Sequence, residues 1–261
     1  MNKRGPFKIS RAVIFALILR EVRGKFGANR LGAFWFVFEP LAHIVVMISI
    51  YTVLRAHRNY GVDLPMFLVS GVIPFLLFKN IALKGMEATS ANKALFSYRQ
   101  IKPFDTIVAR AIVECALMAC IYLVVIFALG FWGGYDVAIH HPLEWFFFLG
   151  IGVLFSFGLA LIFCVIGEAV PESKTFIRLS YMPLYLLSGI IIPIWILPPQ
   201  ILDWMTWNPL LHIIDGMRAS NFLMYPKIRG ISGAYAVAIT VVTLCIGMAL
   251  YRAQRLKLVA L

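Results

Sequence analysis

Long apolar runs separated by short polar segments cover nearly the whole chain. A run of about 20 apolar residues is long enough to cross a bilayer as a helix, because a helix rises by about 1.5 Å per residue. Six runs reach or approach this length, and the fifth is the shortest of them. The pattern therefore predicts an all-α membrane protein with six transmembrane helices, at about residues 33–54, 66–83, 106–131, 143–167, 179–194 and 232–251.

The segment that continues from the fifth run, residues 188–218, stays apolar and aromatic although prolines interrupt it repeatedly. Proline lacks a backbone N–H and clashes with the preceding helical turn. In lipid, the backbone groups that it frees must be satisfied by protein or by a water-filled cavity. The segment therefore predicts short re-entrant helices that line a pore or gate. Its candidate residues are Pro193, Trp195, Pro198, Pro199, Trp204 and Trp207, with Tyr181 and Tyr185 before them as candidates to line a conduit.

A shorter apolar run, residues 12–19, precedes the first predicted span. Its eight residues are far too few to cross the membrane. Four basic residues follow it, Arg20, Arg23, Lys25 and Arg30, and no small-residue cleavage site of a signal peptide does. Residues 1–32 are therefore predicted to form an amphipathic helix that lies in the membrane interface.

A long polar segment, residues 86–105, separates the second and third predicted spans. Ser90 is a candidate cap for a short helix at residues 91–98, and Pro103 should end any helix at Lys102. The segment is either an ordinary cytosolic loop or a short helix parallel to the membrane that docks onto a partner. Residues 168–178 form a shorter loop that offers a second contact of the same kind.

The fourth predicted span carries Gly152, Ser156 and Ala160 at four-residue spacing. Small side chains at this spacing let two helices approach closely. The pattern favours packing within the chain over a dimer contact.

Two pairs of charged residues lie within or beside apolar segments. Arg110 and Glu114 are four residues apart and are predicted to pair on one helix face. Asp215 and Arg218 are three residues apart, which favours a local ion pair that closes a short helix over a contact with a ligand.

The composition excludes a soluble core. Hydrophobic residues make up 61% of the chain and the mean hydropathy is +0.87, whereas soluble domains are about 45–50% apolar. Basic residues outnumber acidic ones by 24 to 12, and 19 of the 24 lie on the same side of the spans as the N-terminus. The positive-inside rule therefore predicts that both termini are cytoplasmic. Nucleic-acid binding is disfavoured, because the basic residues flank apolar runs instead of forming one basic face.

Motifs for catalysis or metal binding do not accompany the spans. The sequence has no G-x-x-x-x-G-K-[ST] phosphate-binding loop and no H-E-x-x-H pattern. Ser156 does not fit an intramembrane serine protease, because Leu154 stands where the Gly-x-Ser motif needs glycine. The four cysteines lie in apolar runs without C-x-x-C, which is typical of buried small hydrophobic residues. The sequence predicts neither an enzyme nor a cofactor in this chain.

Two sets of motifs carry a family resemblance. The first is Ser188-Gly189, Pro193, Pro198-Pro199, Asn208-Pro209-Leu210 and Asp215-Gly216-Met217-Arg218. The second is Leu19-Arg20-Glu21-Val22-Arg23, Gly32-Ala33-Phe34-Trp35, Glu39-Pro40-Leu41, Gly71, Ile73-Pro74-Phe75, Lys102-Pro103, Asp105 and Ala109-Arg110. The first set resembles the signature of type-2 ABC (ABC-2) exporter permeases, and the second is similar to the permeases of group 2 capsular polysaccharide exporters. The resemblance covers nearly the whole chain.

This resemblance implies a single ABC-2 transmembrane domain, with a cytoplasmic interfacial segment at residues 1–32, six spans at 33–251 and a cytoplasmic tail at 252–261. Such permeases act as homodimers in the bacterial inner membrane with a separate ATPase subunit, which carries ATP and Mg. A periplasmic co-polymerase and an outer-membrane protein continue the path. The substrate would be an acidic lipid-linked polysaccharide. Permeases for O-antigen, teichoic-type polymers, lipids or drugs are the alternative, followed by an intramembrane enzyme acting on lipid-linked sugars.

The resemblance also implies roles for individual residues. The interfacial helix and the loop after the second span would contact the ATPase, and the proline-rich segment would form a periplasmic gate. The N-terminal cations are suited to hold a lipid phosphate, although binding of bulk anionic lipid explains them equally well. The candidates are Asn92, Leu95, Phe96, Tyr98, Lys102, Glu168 and Glu172 for ATPase coupling; Arg20, Arg23, Lys25 and Arg30 for the lipid phosphate; and Tyr181, Tyr185, Pro193, Trp195, Pro198, Pro199, Trp204, Trp207, Asp215 and Arg218 for the conduit and gate.

Overall fold

A computed structural model describes residues 6–27, 38, 41–50, 62–98 and 100–260 of the chain. Within these residues every regular element is helical, which confirms the predicted all-α membrane fold. The helices are α1 (Pro6–Gly27), α2 (Leu41–Ile50), α3 (Leu64–Met86), a 3-10 helix (Ser90–Ser97), α4 (Pro103–Phe131), α5 (Pro142–Ala169), α6 (Ser173–Leu187), a second 3-10 helix (Ile194–Ile196), α7 (Pro199–Met205), α8 (Pro209–Asn221) and α9 (Gly233–Ala260).

Four of the described helices, α3, α4, α5 and α9, are long and apolar enough to cross a membrane. They correspond to the second, third, fourth and sixth predicted spans. The first predicted span, residues 33–54, lies largely outside the described residues, and α2 is the part of it that is described. The total of six spans therefore stays a prediction.

The predicted bounds of the fifth span were wrong. Helix α6 begins at Ser173, within polar residues that a hydropathy pattern does not assign to the membrane, and it ends at Leu187. Its 15 residues extend over about 22 Å, which is less than the ~30 Å hydrocarbon core. The helix stops early because Gly189 adopts a positive φ of 65°, after which the chain turns.

Helix α3 is the central helix of the bundle, and all its residues from Pro65 to Phe75 are buried. It packs against α4, α5 and α8, while α5 also packs against α8 and α9. By contrast, α4 exposes Leu123, Phe127 and Phe131 along one face. Their spacing of four residues places them on one outer stripe, as expected for a face that contacts lipid.

The small residues of α5 make the close approaches that their spacing predicts, and they make them within the chain. A Cβ at Gly152 would lie 2.1 Å from Cζ of Phe78, and a Cβ at Gly85 would lie 2.4 Å from that of Ala160. Ser156 is also buried. This confirms intramolecular packing as the use of the stripe.

Two ion-pair systems attach the interfacial helix α1 to the bundle. Arg110 Nε donates to Glu21 Oε1 at 2.9 Å, and the buried Glu114 accepts hydrogen bonds from Lys84 Nζ at 2.9 Å and from Lys25. The predicted pair between Arg110 and Glu114 is therefore wrong. The spacing of four residues permits that pair, but each side chain finds an opposite charge on another helix.

Helix α1 itself confirms the predicted N-terminal helix, which spans 22 residues. Leu17 is buried against the bundle, whereas Phe15 and Leu19 are largely exposed. Apolar side chains therefore lie on more than one side of α1. The predicted amphipathic pattern of this helix is therefore wrong, and its location in the membrane interface stays a prediction.

Gly152→Ala should lower the melting temperature of the detergent-solubilised protein. The added Cβ would overlap the buried ring of Phe78, and overpacking of this kind costs about 1–3 kcal/mol. Gly150→Ala is the matched control, because it changes the same helix at a position with no neighbouring atom within 4 Å. The control should melt like the wild type or slightly higher, since alanine favours a helix. Equal melting temperatures for both variants would contradict the packing of α5 on α3.

Glu114→Gln should loosen the attachment of α1. Burial lowers the pKa of Lys25, and the Glu114 carboxylate opposes that shift. Without the carboxylate, Lys25 and Lys84 face each other, at a cost of about 1–3 kcal/mol for charged hydrogen bonds lost in a partly buried site. Hydrogen–deuterium exchange of the α1 amides should become faster. Glu144→Gln, which changes an exposed carboxylate of α5, is the control and should leave that exchange unchanged. If the α1 amides of Glu114→Gln exchange as slowly as those of the wild type, Glu114 does not attach α1 to the bundle.

Candidate functional site

The chain turns sharply between α6 and the proline-rich segment. We call residues 188–193 the gate turn. Gly189 is in the left-handed region at φ 65°, and the preceding Ser188 is buried. Asn208 Nδ2 donates to Ser188 Oγ at 2.9 Å. The gate turn is therefore held against the start of α8.

The Asn208-Pro209 motif has a structural explanation as a helix start. Asn208 is the N-cap of α8, and its Oδ1 accepts the backbone N–H of Leu210 at 3.0 Å. Pro209 follows in the first turn, where its missing N–H would have no helical partner. Next to this cap, His212 Nε2 contacts the Thr206 carbonyl at 2.7 Å. The end of α7 and the start of α8 are thus joined by polar contacts.

Arg218 lies on α8 and is buried, at 1% exposure. Nη1 donates to the Gly189 carbonyl at 2.6 Å. Nη2 donates to the carbonyls of Ile190 at 2.8 Å and Phe67 at 3.1 Å. The guanidinium carbon also lies 3.6 Å from the centre of the Phe67 ring. Arg218 therefore satisfies backbone carbonyls that the gate turn leaves outside any helix.

Asp215 does not form the predicted ion pair with Arg218. Its Oδ1 instead accepts the hydroxyl of Tyr225 at 2.5 Å. The pair is wrong because Arg218 points toward the gate turn, where unpaired carbonyls compete for it. Tyr225 also packs edge-on against Trp195, with ring centres 5.3 Å apart.

The structure thus brings three predicted gate residues, Trp195, Asp215 and Arg218, into one cluster. Phe67 and Tyr225 complete it, and Trp195 packs between their rings. Sequence reasoning missed these two aromatic residues, since both lie outside the proline-rich segment and share no spacing with it.

The remaining residues predicted for the gate lie apart from this cluster. Pro193 and Pro198 precede the second 3-10 helix and α7, respectively. Pro199 is in the first turn of α7. Trp204 and Trp207 are 86% and 82% exposed. The prolines therefore define where short helices begin, while the two tryptophans lie at the surface.

A groove of about 860 Å³ runs beside α6, between α2, α3 and α4. Tyr185 and Tyr181 line it, with ring centres 5.2 and 6.2 Å from that of Phe75. The Tyr185 hydroxyl lies 3.1 Å from His43 Nε2. The structure therefore places both predicted conduit tyrosines in one aromatic wall.

The two ends of the groove differ in character. One end carries Lys79, Lys84 and Arg178, of which Lys84 contacts Glu114 and Arg178 contacts Glu87. The other end carries Ile191 of the gate turn. From Arg178 to Leu186 the wall of α6 extends over about 12 Å. The groove thus extends from a basic end to an apolar end at the gate turn.

The N-terminal cations divide into different settings. Arg20 and Arg23 are exposed on α1, where they are accessible to a phosphate. Lys25 is engaged with Glu114. Arg30 lies outside the described residues. Binding of a lipid phosphate therefore stays a prediction, and Arg20 and Arg23 are the candidates whose side chains are exposed.

The short helix predicted in the loop after α3 is present as the 3-10 helix Ser90–Ser97. The predicted cap by Ser90 is wrong, because its hydroxyl donates back to the Glu87 carbonyl at 3.2 Å. Asn92 and Phe96 are buried, and Asn92 Nδ2 donates to the Ala88 carbonyl at 2.7 Å. These two side chains hold the loop in shape.

Leu95 and Tyr98 remain available on the outer side of the same loop. They line a second groove of about 590 Å³ together with Leu17 and Arg20 of α1. Tyr98 is 65% exposed. The loop and the interfacial helix therefore present one common surface.

Three further coupling candidates lie at helix ends. Lys102 immediately precedes α4, and its backbone N–H donates to Asp105 Oδ2 at 3.1 Å. The predicted helix end at Lys102 is wrong, because the preceding 3-10 helix already ends at Ser97 and Pro103 is the first residue of α4. Glu168 accepts a hydrogen bond from Lys174 at 3.1 Å. Glu172 is the exposed N-cap residue of α6. Glu168 lies in the last turn of α5, and Glu172 lies in the connection between α5 and α6.

The described residues can bind and guide a ligand, but they do not assemble reactive groups. Among them no three His, Cys, Asp or Glu side chains gather in a way that could hold a metal ion. What the site offers is an aromatic and basic groove that ends at a turn held by buried polar contacts.

Comparison with known proteins identifies the family. Residues 12–222 match the family described as ABC-2 type transporter. The chain is 34% identical over 251 residues to the polysialic acid transport protein KpsM of Escherichia coli, with 96% of each chain covered. It is also similar to two capsule polysaccharide export inner-membrane proteins: CtrC of Neisseria meningitidis serogroup A (29% identity, 82% of this chain and 80% of the relative) and BexB of Haemophilus influenzae (27% identity, 80% and 79%). The resemblance drawn from the motifs is thereby confirmed, and the chain belongs to the ABC-2 type transporter family.

Proposed function

We propose that this chain is the permease subunit of an ATP-driven transporter that exports lipid-linked capsular polysaccharide across the bacterial inner membrane. The strongest support is the similarity to the polysialic acid transport protein KpsM, which extends over 96% of both chains. The groove beside α6 is an independent support. A permease needs a path for its substrate, which the groove offers, whereas an enzyme needs a cluster of reactive groups.

The groove suits an acidic sugar polymer. Aromatic faces pack against the apolar faces of sugar rings and leave the hydroxyls hydrated. Tyr185 supplies such a face, and the buried rings of Phe75 and Tyr181 pack behind it. Lys79, Lys84 and Arg178 attract an anionic ligand at one end. On α1, Arg20 and Arg23 are exposed and can meet the phosphate of a lipid terminus.

The orientation follows from the basic residues. We place both termini, α1 and the loop after α3 in or at the cytoplasm, because these parts carry most of the lysines and arginines. The gate turn and α7 then lie toward the periplasm. In this orientation the basic end of the groove is the cytoplasmic end, and Ile191 lies at the exit.

Transport by this chain requires partners. The sequence has no phosphate-binding loop for ATP, so a separate ATPase subunit carries ATP and Mg and docks on the surface formed by α1, Leu95 and Tyr98. A second copy of the chain closes the path, since one bundle of narrow helices cannot enclose a hydrated polymer. A periplasmic co-polymerase and an outer-membrane protein receive the polysaccharide.

Deletion of the gene should leave acidic polysaccharide inside the cell. Polymer stained or antibody-labelled on intact cells should disappear, while lysed cells should retain it, because synthesis continues without export. Expression of the wild-type chain should restore surface polymer, and expression with an ATPase partner that cannot hydrolyse ATP should not. A normal surface capsule in the deletion strain would contradict the proposed function.

Tyr98→Asp should uncouple ATP hydrolysis from export. Tyr98 is exposed, so the variant should assemble normally while its new charge disturbs an apolar docking surface. ATPase activity of the purified complex and surface polymer should be measured side by side, and export should fall more than hydrolysis. Tyr98→Phe keeps the ring and should behave like the wild type. Unchanged export with Tyr98→Asp would place the ATPase contact elsewhere.

A further inference from the structure

The gate turn borders one end of the groove. Ile191 lines this end, opposite Lys84 and Arg178. The carbonyl of the preceding Ile190 accepts a hydrogen bond from Arg218. A displacement of the gate turn that opens this end of the groove must therefore break the Arg218 contacts or carry Arg218 with it.

One guanidinium joins three parts of the fold at this point. Arg218 belongs to α8, its Nη1 and Nη2 hold the Gly189 and Ile190 carbonyls of the gate turn, and Nη2 also holds the Phe67 carbonyl of α3. The Phe67 ring adds a cation–π contact. Arg218 thus links the gate turn directly to the central helix α3, beside the apolar contact that the buried Ile190 makes with the same core.

We propose that Arg218 is a latch that keeps the gate turn closed over the groove, and that the exit opens when its hydrogen bonds to the Gly189 and Ile190 carbonyls break. Arg218 is in this sense a positioning residue: it acts on the path through the gate turn. The proposal rests on the proposed function only in that the groove is taken as an export path.

The charge balance of the cluster favours a reversible contact. Asp215 is engaged with the Tyr225 hydroxyl and forms no ion pair with Arg218. Arg218 Nε has no hydrogen-bond partner among the described residues. The buried guanidinium is held by carbonyl dipoles and by the Phe67 ring, and the nearby Tyr225 and Asp215 side chains also stabilise its charge. It nevertheless gives up a large part of its hydration energy. When the gate turn moves and water enters, hydration of the guanidinium offsets the hydrogen bonds that are lost. The closed and open arrangements are therefore closer in free energy than purely apolar packing would make them.

The space for the latch is provided by Gly71 on α3. A Cβ at this position would lie 2.3 Å from Arg218 Nη2 and 3.4 Å from Cγ2 of Ile190. Any larger residue would push the guanidinium off the carbonyls. This gives an independent way to disturb the latch without changing Arg218 itself.

The test measures leakage through the reconstituted permease–ATPase complex in liposomes without ATP. Chloride efflux reports an open exit, and no polysaccharide is present. Arg218→Met removes every donor but keeps a long side chain. It should raise the efflux by at least about tenfold, because it removes three hydrogen bonds and the loss of even one charged hydrogen bond changes an equilibrium by about that factor. Gly71→Ala keeps the arginine and should raise efflux in the same direction. Gly150→Ala, which meets no atom within 4 Å, should leak like the wild type.

Each outcome decides the proposal. Arg218→Met complexes that assemble and stay as tight as the wild type overturn it. If Arg218→Met does not assemble, the chloride efflux of Gly71→Ala is the test. Gly71→Ala vesicles that leak no more than those of the wild type overturn the proposal. If neither variant assembles, Arg218 is a static support of the fold and the latch is wrong. Chloride leakage from the variants but not from the wild type supports the latch, whatever the result of the gene deletion. A deletion strain that keeps its capsule contradicts the proposed function alone. Failure of the latch and failure of the proposed function are therefore distinguishable.

Discussion

Every backbone polar group within the membrane must find a partner, and the gate turn is where this constraint is hardest to meet. The chain leaves α6 at Leu187 and exposes carbonyls that no helix satisfies. Arg218 supplies the missing donors from α8. Gly71 of α3 leaves the space for this guanidinium, since a Cβ there would lie 2.3 Å from Nη2. The buried cation and the apolar side chains of α8 that pack in the core together determine how the three elements meet.

The other end of the bundle, which we place at the cytoplasm, solves its charge problem differently. There, buried or partly buried cations contact carboxylates, as Lys84 does with Glu114. Glu87 in the loop after α3 contacts Arg178 of α6. Helix α6 therefore extends from the loop after α3 to the gate turn. Ion pairs attach its first half, and carbonyl contacts attach the turn that follows its last residue.

The sequence predicted the helices better than it predicted their contacts. Apolar runs identified α3, α4, α5 and α9, and the prolines marked the starts of short helices, because both are local properties of the chain. Tertiary competition decided the rest. Arg110 prefers Glu21 of another helix to its neighbour Glu114, and Arg218 prefers carbonyls to Asp215. The hydropathy pattern did not predict the polar first turns of α6, because only the part of a helix that lies in lipid must be apolar. Of the three tryptophans in the proline-rich segment, only Trp195 belongs to the cluster around Arg218. The spacing of residues along the sequence does not predict which of the three lies there.

The groove carries cations whose charges are partly balanced, and this matters for moving a polymer. A fully unpaired cation in a narrow path would bind each passing anionic sugar tightly and slow its release. Arg178 contacts Glu87 and Lys84 contacts Glu114, so both attract an anion but bind it weakly. The half-buried ring of Tyr185, which packs against the buried Phe75, likewise offers an aromatic face without fixed hydrogen-bond geometry. In the proposed path, the weak sites lie along the groove, whereas the buried polar contacts of Arg218 are made within the protein at the gate turn. Such an arrangement would let a polymer move along the groove without being held at any one point.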